Sequence, residues 1–136
     1  MSKLVISVVV DANFMTIPAQ FSVDVFAEAE RVLEQRIEFI MLSSVLREIE
    51  TIAEGNKSLT ERRAFGIALA LAARCKQIES PHPDLPVDDQ LIEFAADIKG
   101  VLATNDRNLR HNARKRGISV LYLRGKKRLA LEGSRI

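Results

Sequence analysis

The stretch LVISVVV, residues 4–10, runs directly into Asp11 in VVVDAN, and the reading of the fold turns on it. A short β-branched apolar run without polar alternation marks a strand buried on both faces. Such strands belong in parallel sheets covered by helices. Shorter runs of the same kind follow at Ile37–Leu42, Val101–Ala103 and Ile118–Leu123. Helical spacing fills the intervals. Val25, Phe26, Ala29, Val32 and Leu33 recur within 22–35, where Ser22 is placed to cap. A short helix runs from Ser43 or Ser44 to Gly55, and a longer one from Ser58 or Thr60 to about Glu79. Asp88 is placed to cap a helix over 89–99 that Gly100 closes, and 106–116 is helical up to Gly117. The segment 12–21 contains Pro18 and reads as loop, as does SPHPDLP at 80–86, too short for a domain linker. Strands alternating with helices, joined by right-handed crossovers, predict a three-layer α/β/α sandwich around a parallel sheet.

A chain of 136 residues suits one domain. Residues 1–123 are assigned to it, and 124–136 to a basic tail without evident pattern. The apolar runs are far too short to span a membrane, and the N-terminal residues lack a signal-peptide pattern, so a cytoplasmic location is expected. The single cysteine, Cys75, rules out an internal disulfide and reads as a packed thiol within FGIALALAARCKQI. The alanine-rich run 65–73 suits either burial between layers or a subunit contact.

The net charge of +2 conceals an asymmetry. Up to Asp106 there are ten Lys/Arg against seventeen Asp/Glu; beyond it there are ten against Glu132 alone. An acidic body with a basic C-terminal quarter points to a polyanionic partner held by the basic part. The basic run begins at Arg107, next to an acid.

Acids sit where apolar runs end or helices open: Asp11, Glu48 or Glu50, Asp88 or Asp89, and Asp106. Open parallel sheets place ligands past the carboxyl ends of their strands. Carboxylates gathered there repel one another unless a cation joins them, and oxygen-rich sites of this kind suit Mg²⁺ or Mn²⁺. Singly, each acid has an ordinary use as a cap or turn former. Their common placement is the informative fact.

In order, VVVDAN, an E-I-E in a short helix, DDQLIEFA and LATNDRNL resemble the PIN-domain nucleases from Leu4 to about Leu123. The resemblance implies a metal-holding set of Asp11, Glu48, Asp89 and Asp106, with Asn13, Thr104 and Asn105 shaping the site. The family pattern prefers Glu48 to Glu50 and, by its D-x-L-I spacing, Asp89 to Asp88. The spellings DANF, DDQLIEFA and ATNDRNLR are similar to the small-subunit rRNA-processing branch and its archaeal relatives, more than to VapC-type toxins. It further implies a homo-oligomer, usually a dimer, with an antitoxin or a ribosome-assembly factor as possible partner.

The expected activity is metal-dependent cleavage of RNA phosphodiester bonds, with water as nucleophile. The chain's histidines, His82 and His111, are not needed for it. Arg107, Arg110 and Arg114 on one helix face, with Lys126, Lys127 and Arg128 beyond, are the expected RNA-binding residues. One tyrosine and no tryptophan leave little for base stacking. A haloacid-dehalogenase-type phosphatase would need a second Asp where Asn13 stands, and the acid spacing of a receiver domain is not met. A VapC-type toxin and a non-catalytic PIN-like RNA-binding scaffold are the remaining alternatives.

Overall fold

The computed structural model describes residues 5–55 and 57–134. Its strands are β1 Val5–Val10, β2 Arg36–Leu42, β3 Lys76–Ile78, β4 Val101–Ala103, β5 Val120–Arg124 and β6 Arg128–Glu132. They form one sheet in the order β3-β2-β1-β4-β5-β6, with every pair parallel except β5–β6. The helices are α1 Ile17–Phe21, α2 Val25–Leu33, α3 Ser43–Glu54, α4 Leu59–Leu71, α5 Val87–Ile98 and α6 Arg107–Lys115. α5 packs on β1 and β4, and α6 on α5 and β5. α4 packs on α3, on the turn Asn13–Thr16 and on α1, while α2 reaches β2 and β6. This is the expected α/β/α sandwich. Val8, Val9 and Val10 of central β1 are wholly buried, as a strand covered on both faces requires. No helix among the described residues is long and apolar enough to cross a membrane.

Several local departures from the sequence reading have physical causes. The segment after Asp11 is helical, a 3₁₀ turn over Asn13–Thr16 followed by α1. Pro18 fits there because it falls in the first turn, where no intrahelical N–H bond is due. Ser22 ends α1 in the left-handed conformation, and Asp24 caps α2 through the N–H groups of Phe26 and Ala27. Likewise Ser43 and Ser44 lie inside the first turn of α3, and Asp88 and Asp89 inside that of α5; none of the four is an N-cap. Ser58 does cap α4, through the N–H of Glu61.

The long helix expected to reach Glu79 stops at Leu71, and its remainder becomes a 3₁₀ turn and the edge strand β3. Lys-Gln-Ile is too short and polar to announce a strand. It pairs because Ile40–Leu42 of β2 present an open ladder. Cys75, just before β3, is buried, and burial pushes its thiol up to about 11, which leaves it unreactive.

The patternless tail forms a hairpin. Leu121 faces Leu131 and Leu123 faces Leu129 across β5–β6, around a turn in which Gly125 and Lys126 both have φ of 65°. The outer side of β6 is partly closed by α2: Glu28 accepts the Leu129 N–H (3.0 Å) and Arg31 donates to its carbonyl (3.3 Å).

The crossing from α5 to β4 depends on a close backbone approach. Lys99, not Gly100, is the left-handed residue closing α5. A Cβ on Gly100 would lie 2.9 Å from the Ser7 carbonyl of β1 and 3.2 Å from the Ile98 side chain. Gly100→Ala is therefore expected to cost about 1–3 kcal/mol, while Lys99→Gly is expected to be neutral or stabilising because it relieves a positive φ. Thermal denaturation of the two variants checks this, and a wild-type melting temperature for Gly100→Ala would refute the tight β1–β4 approach.

Candidate functional site

β1 and β4 are neighbours, so the residues after them meet. The Asp11 N–H donates to the Ala103 carbonyl (2.9 Å), carrying the ladder one step past β1. The Asp11 carboxylate accepts the Ala12 N–H at Oδ1 (2.8 Å) and the Thr104 hydroxyl at Oδ2 (2.7 Å). Thr104 also accepts the Asp106 N–H (3.1 Å), and Asn13 Oδ1 accepts the Asn105 N–H (3.1 Å). The residues read as site-shaping, Asn13, Thr104 and Asn105, thus lace the two strand-end loops together. Asp106 caps α6 by accepting two N–H groups at Oδ1, those of Asn108 (2.8 Å) and Leu109 (3.1 Å), so capping does not use Oδ2.

Repulsion links the acids. Asp11 is 7% exposed, and its pKa is raised to about 6, first by burial and further by Glu48 and Asp88, against the bonds from Thr104 and Ala12. Burial and then Asp88 raise Glu48. Asp88 is raised by burial, then by Asp106 and Asp89. Among the described residues no Lys or Arg is ion-paired with Asp11, Glu48, Asp88 or Asp106. Equally, no three Asp, Glu, His or Cys side chains among the described residues converge closely enough to hold an ion as they stand.

Of the paired alternatives, Glu48 acts on Asp11; Glu50 lies roughly 200° further round α3. On α5 the arrangement differs from the motif spacing. Asp88 shares a helix stripe with Leu91 and Ala95, both fully buried against the sheet side. Asp89 shares its side with Glu93 and Asp97, which pair outward with Arg116 and His82. The charge of Asp88 is felt by Asp11 and Glu48, and Asp88 in turn feels Asp106 and Asp89.

Sequence reasoning passed over Gln90, only 4% exposed. Its Oε1 accepts the hydroxyls of Ser44 and Ser80, each at 2.6 Å, and its Nε2 donates to the Leu85 carbonyl (2.8 Å). Ser43 adds a bond from the Ser80 N–H (3.0 Å). These bonds tie the starts of α3 and α5, which carry Glu48 and Asp88, to the loop after β3. A glutamine beside two acids at a helix start was the only available signal, and its partners lie far away in the chain.

The basic residues divide. Arg110 stacks over Tyr122 at 4.1 Å and lies 3.6 Å from Glu132; Arg114 lies 3.9 Å from Glu132 and donates to the Ile118 carbonyl. Both fasten α6 to the hairpin. Arg107, Lys126, Lys127 and Arg128 are exposed.

An open α/β sheet with an interacting set of acids past its carboxyl edge defines the class of this protein. The family follows from comparison: the profile of the PIN like domain matches residues 8–126, and the chain belongs to that family. Ribonuclease VapC4 of Methanocaldococcus jannaschii is 26% identical over 128 residues, 93% of this chain and 96% of its own. Ribonuclease VapC9 of Archaeoglobus fulgidus is 34% identical over 94 residues, 69% and 67% of the two chains. The solved structure of the PIN domain endonuclease Utp24 superposes with a TM-score of 0.76 at 25% identity, covering 94% of this chain and 92% of that one. The relatives thus include both VapC ribonucleases and a Utp24 endonuclease.

A buried acid whose pKa is raised lowers stability once it ionises. Between the unfolded value, near 3.8, and about 6, the native state keeps a proton that the unfolded chain has lost. The Asp11 contribution to stability is therefore highest below about pH 4 and falls as pH rises through 6, by on the order of 2–3 kcal/mol in metal-free protein. Asp11→Asn removes that loss, and the Thr104 oxygen has a further lone pair for the new amide. In EDTA at pH 7.5 the variant is expected to melt several degrees above wild type, with the gap closing near pH 4. A variant that melts lower at pH 7.5 would contradict the burial cost.

Proposed function

We propose that this chain is a divalent-metal-dependent endoribonuclease that cleaves RNA with water as nucleophile, in rRNA or other RNA processing. The observation that carries the reading is the mutual influence of Asp11, Glu48, Asp88 and Asp106 at one sheet edge, with no Lys or Arg among the described residues ion-paired to any of them. The donor set fits a hard cation in kind: all oxygen, partly buried and mutually repelling. We assign the third position to Asp88, where the family spacing would give Asp89. Glu48 and Asp88, whose side chains are exposed, would rotate inward to complete the set. Bound Mg²⁺ or Mn²⁺ would acidify water and neutralise charge on the scissile phosphate. Asp11, held at both oxygens, gives the site a fixed anchor. Asp106 offers Oδ2 while α6 holds its Oδ1. Glu48 or Asp88, ionised, would orient the attacking water and take its proton.

A VapC-type toxin is a second reading favoured by the two VapC relatives. A neighbouring antitoxin gene, or growth arrest on expression relieved by such a partner, would select it. A homodimer belongs to the same proposal. Leu59 and Ile67 of α4, 53% and 47% exposed, are the apolar surface it would cover, and a monomer mass by light scattering at tens of micromolar would remove it.

Millimolar Mn²⁺ or Mg²⁺ is expected to raise the melting temperature, since binding only the folded state stabilises it. Asp11→Asn and Asp88→Asn should abolish that rise and lower single-turnover RNA cleavage by at least about 100-fold, roughly 2.7 kcal/mol at the barrier. Asp89→Asn should change each by less than about threefold, under 1 kcal/mol. A reversed order on α5 would restore Asp89 to the site. Wild-type protein that binds RNA but neither binds metal nor cleaves would leave the scaffold reading.

A further inference from the structure

β1 starts lower in the sheet than the strand on its β4 side. Val5 is level with Arg36 of β2, so pairing with β2 begins at the first residue of β1. β4 joins only at Val8, opposite Val101, and β5 starts no lower, with Val120 opposite Leu102. Three residues of β1, about 10 Å of strand, therefore have no neighbouring strand on that side. The Asp11 N–H reaches the Ala103 carbonyl on the β4 side. Main-chain groups alternate between the two sides of a strand, so the N–H groups of Val5 and Ser7 turn into this gap. Among the described residues neither makes a backbone bond outside the ladders.

The gap opens into a cleft of about 700 Å³ at the amino edge of the sheet, the end opposite the acids. Val5 and Ile98, 52% and 36% exposed, give it apolar walls. Lys99, Arg114 and Arg116 line it, and among the described residues no Asp or Glu does. Glu132 and Glu93 meet Arg114 and Arg116 from outside that lining. Lys99 is exposed, and no acid among the described residues is ion-paired with it. Its φ of 53° is one that glycine adopts more easily, so backbone conformation does not explain a lysine there.

These features call for one kind of occupant. Main-chain N–H groups without a strand beside them need main-chain acceptors on an extended chain. Exposed apolar walls suit an apolar side chain, and cations without acids suit a negative charge. The carboxyl end of a polypeptide brings all three together. We infer that the cleft binds the carboxyl end of a partner polypeptide. About three of its residues add a short strand beside residues 5–7 of β1. Its last side chain is apolar and packs on Val5 and Ile98, and its carboxylate is held by Lys99. This surface is independent of the nuclease reading, since it lies at the other end of the strands from the acids.

The test is a screen of peptides randomised over their last three residues, with free or amidated carboxyl ends, against the full chain. The best free-carboxylate peptide is then labelled with fluorescein and followed by anisotropy. The screen should select an apolar last residue, and amidation should weaken binding by at least about tenfold. Lys99→Glu should weaken it to a similar degree, and Lys57→Glu, a charge-matched change on the α3–α4 connection, by less than about twofold. Lys99→Gly removes the charge at a position where the fold tolerates glycine, and it too should weaken binding. By NMR, the Ser7 amide hydrogen should exchange at least about tenfold more slowly when the peptide is bound. No selection from the screen, equal binding of free and amidated ends, an equal loss in Lys57→Glu, or unchanged Ser7 exchange would overturn the proposal. Binding that appears only after residues 135–136 are removed would make that segment the occupant, and would overturn it as well.

Discussion

The hydroxyl of Thr104 donates to Asp11 across the boundary between β1 and β4, and the candidate site is built outward from that bond. Burying a carboxylate is unfavourable, and here two hydrogen bonds offset only part of it. A sheet that needed Asp11 solely as a turn former would not place two further carboxylates close enough to raise its pKa. The strain is local and electrostatic, and it sits where an open parallel sheet presents its strand ends. Stability withheld at the site is supplied elsewhere, by the fully buried valines of β1 and the layers covering them.

Two kinds of polar residue support this edge by different physics. Gln90, with Ser44 and Ser80, is satisfied by hydrogen bonds in a nearly dry setting, where geometry is narrow and each partner fixes the others. These bonds set the spacing of the starts of α3 and α5, and hence of Glu48 and Asp88. The arginines of α6 act in a wetter environment. Arg110 and Arg114 hold the hairpin through a ring face and one carboxylate. Basic residues adjacent in sequence thus separate into those that hold the fold and those left exposed.

The similar proteins are two VapC ribonucleases, matched in sequence, and a Utp24 endonuclease, matched in structure. In this chain the acids at the sheet's carboxyl edge have exposed Arg107 beside them at the start of α6, and Arg124, Lys126 and Lys127 are exposed at the β5–β6 turn. That distribution comes from the order of strands and is invisible in the net charge.

Much of the framework was legible from residues alone. Apolar runs at 4–10, 37–42, 101–103 and 118–123 marked four strands, because burial on both faces demands uninterrupted apolar residues. Asp11 and Asp106 were legible because each follows such a run, and the motif spelling supplied Glu48. Segments stabilised by partners far away in the chain were not legible. β3 is Lys-Gln-Ile, a strand only because β2 offers it a ladder. β6 forms because Leu129 and Leu131 have β5 to pair with and α2 to close the edge. Between Asp88 and Asp89 the local pattern chose by spelling, whereas α5 places Asp88 on the stripe of buried Leu91 and Ala95 and Asp89 on that of Glu93 and Asp97. Sequence by itself determined which elements form and where the acids fall along the chain, since apolar periodicity is a local property. Tertiary structure alone decided which helix face is packed and which arginines are occupied, since both depend on contacts between distant segments.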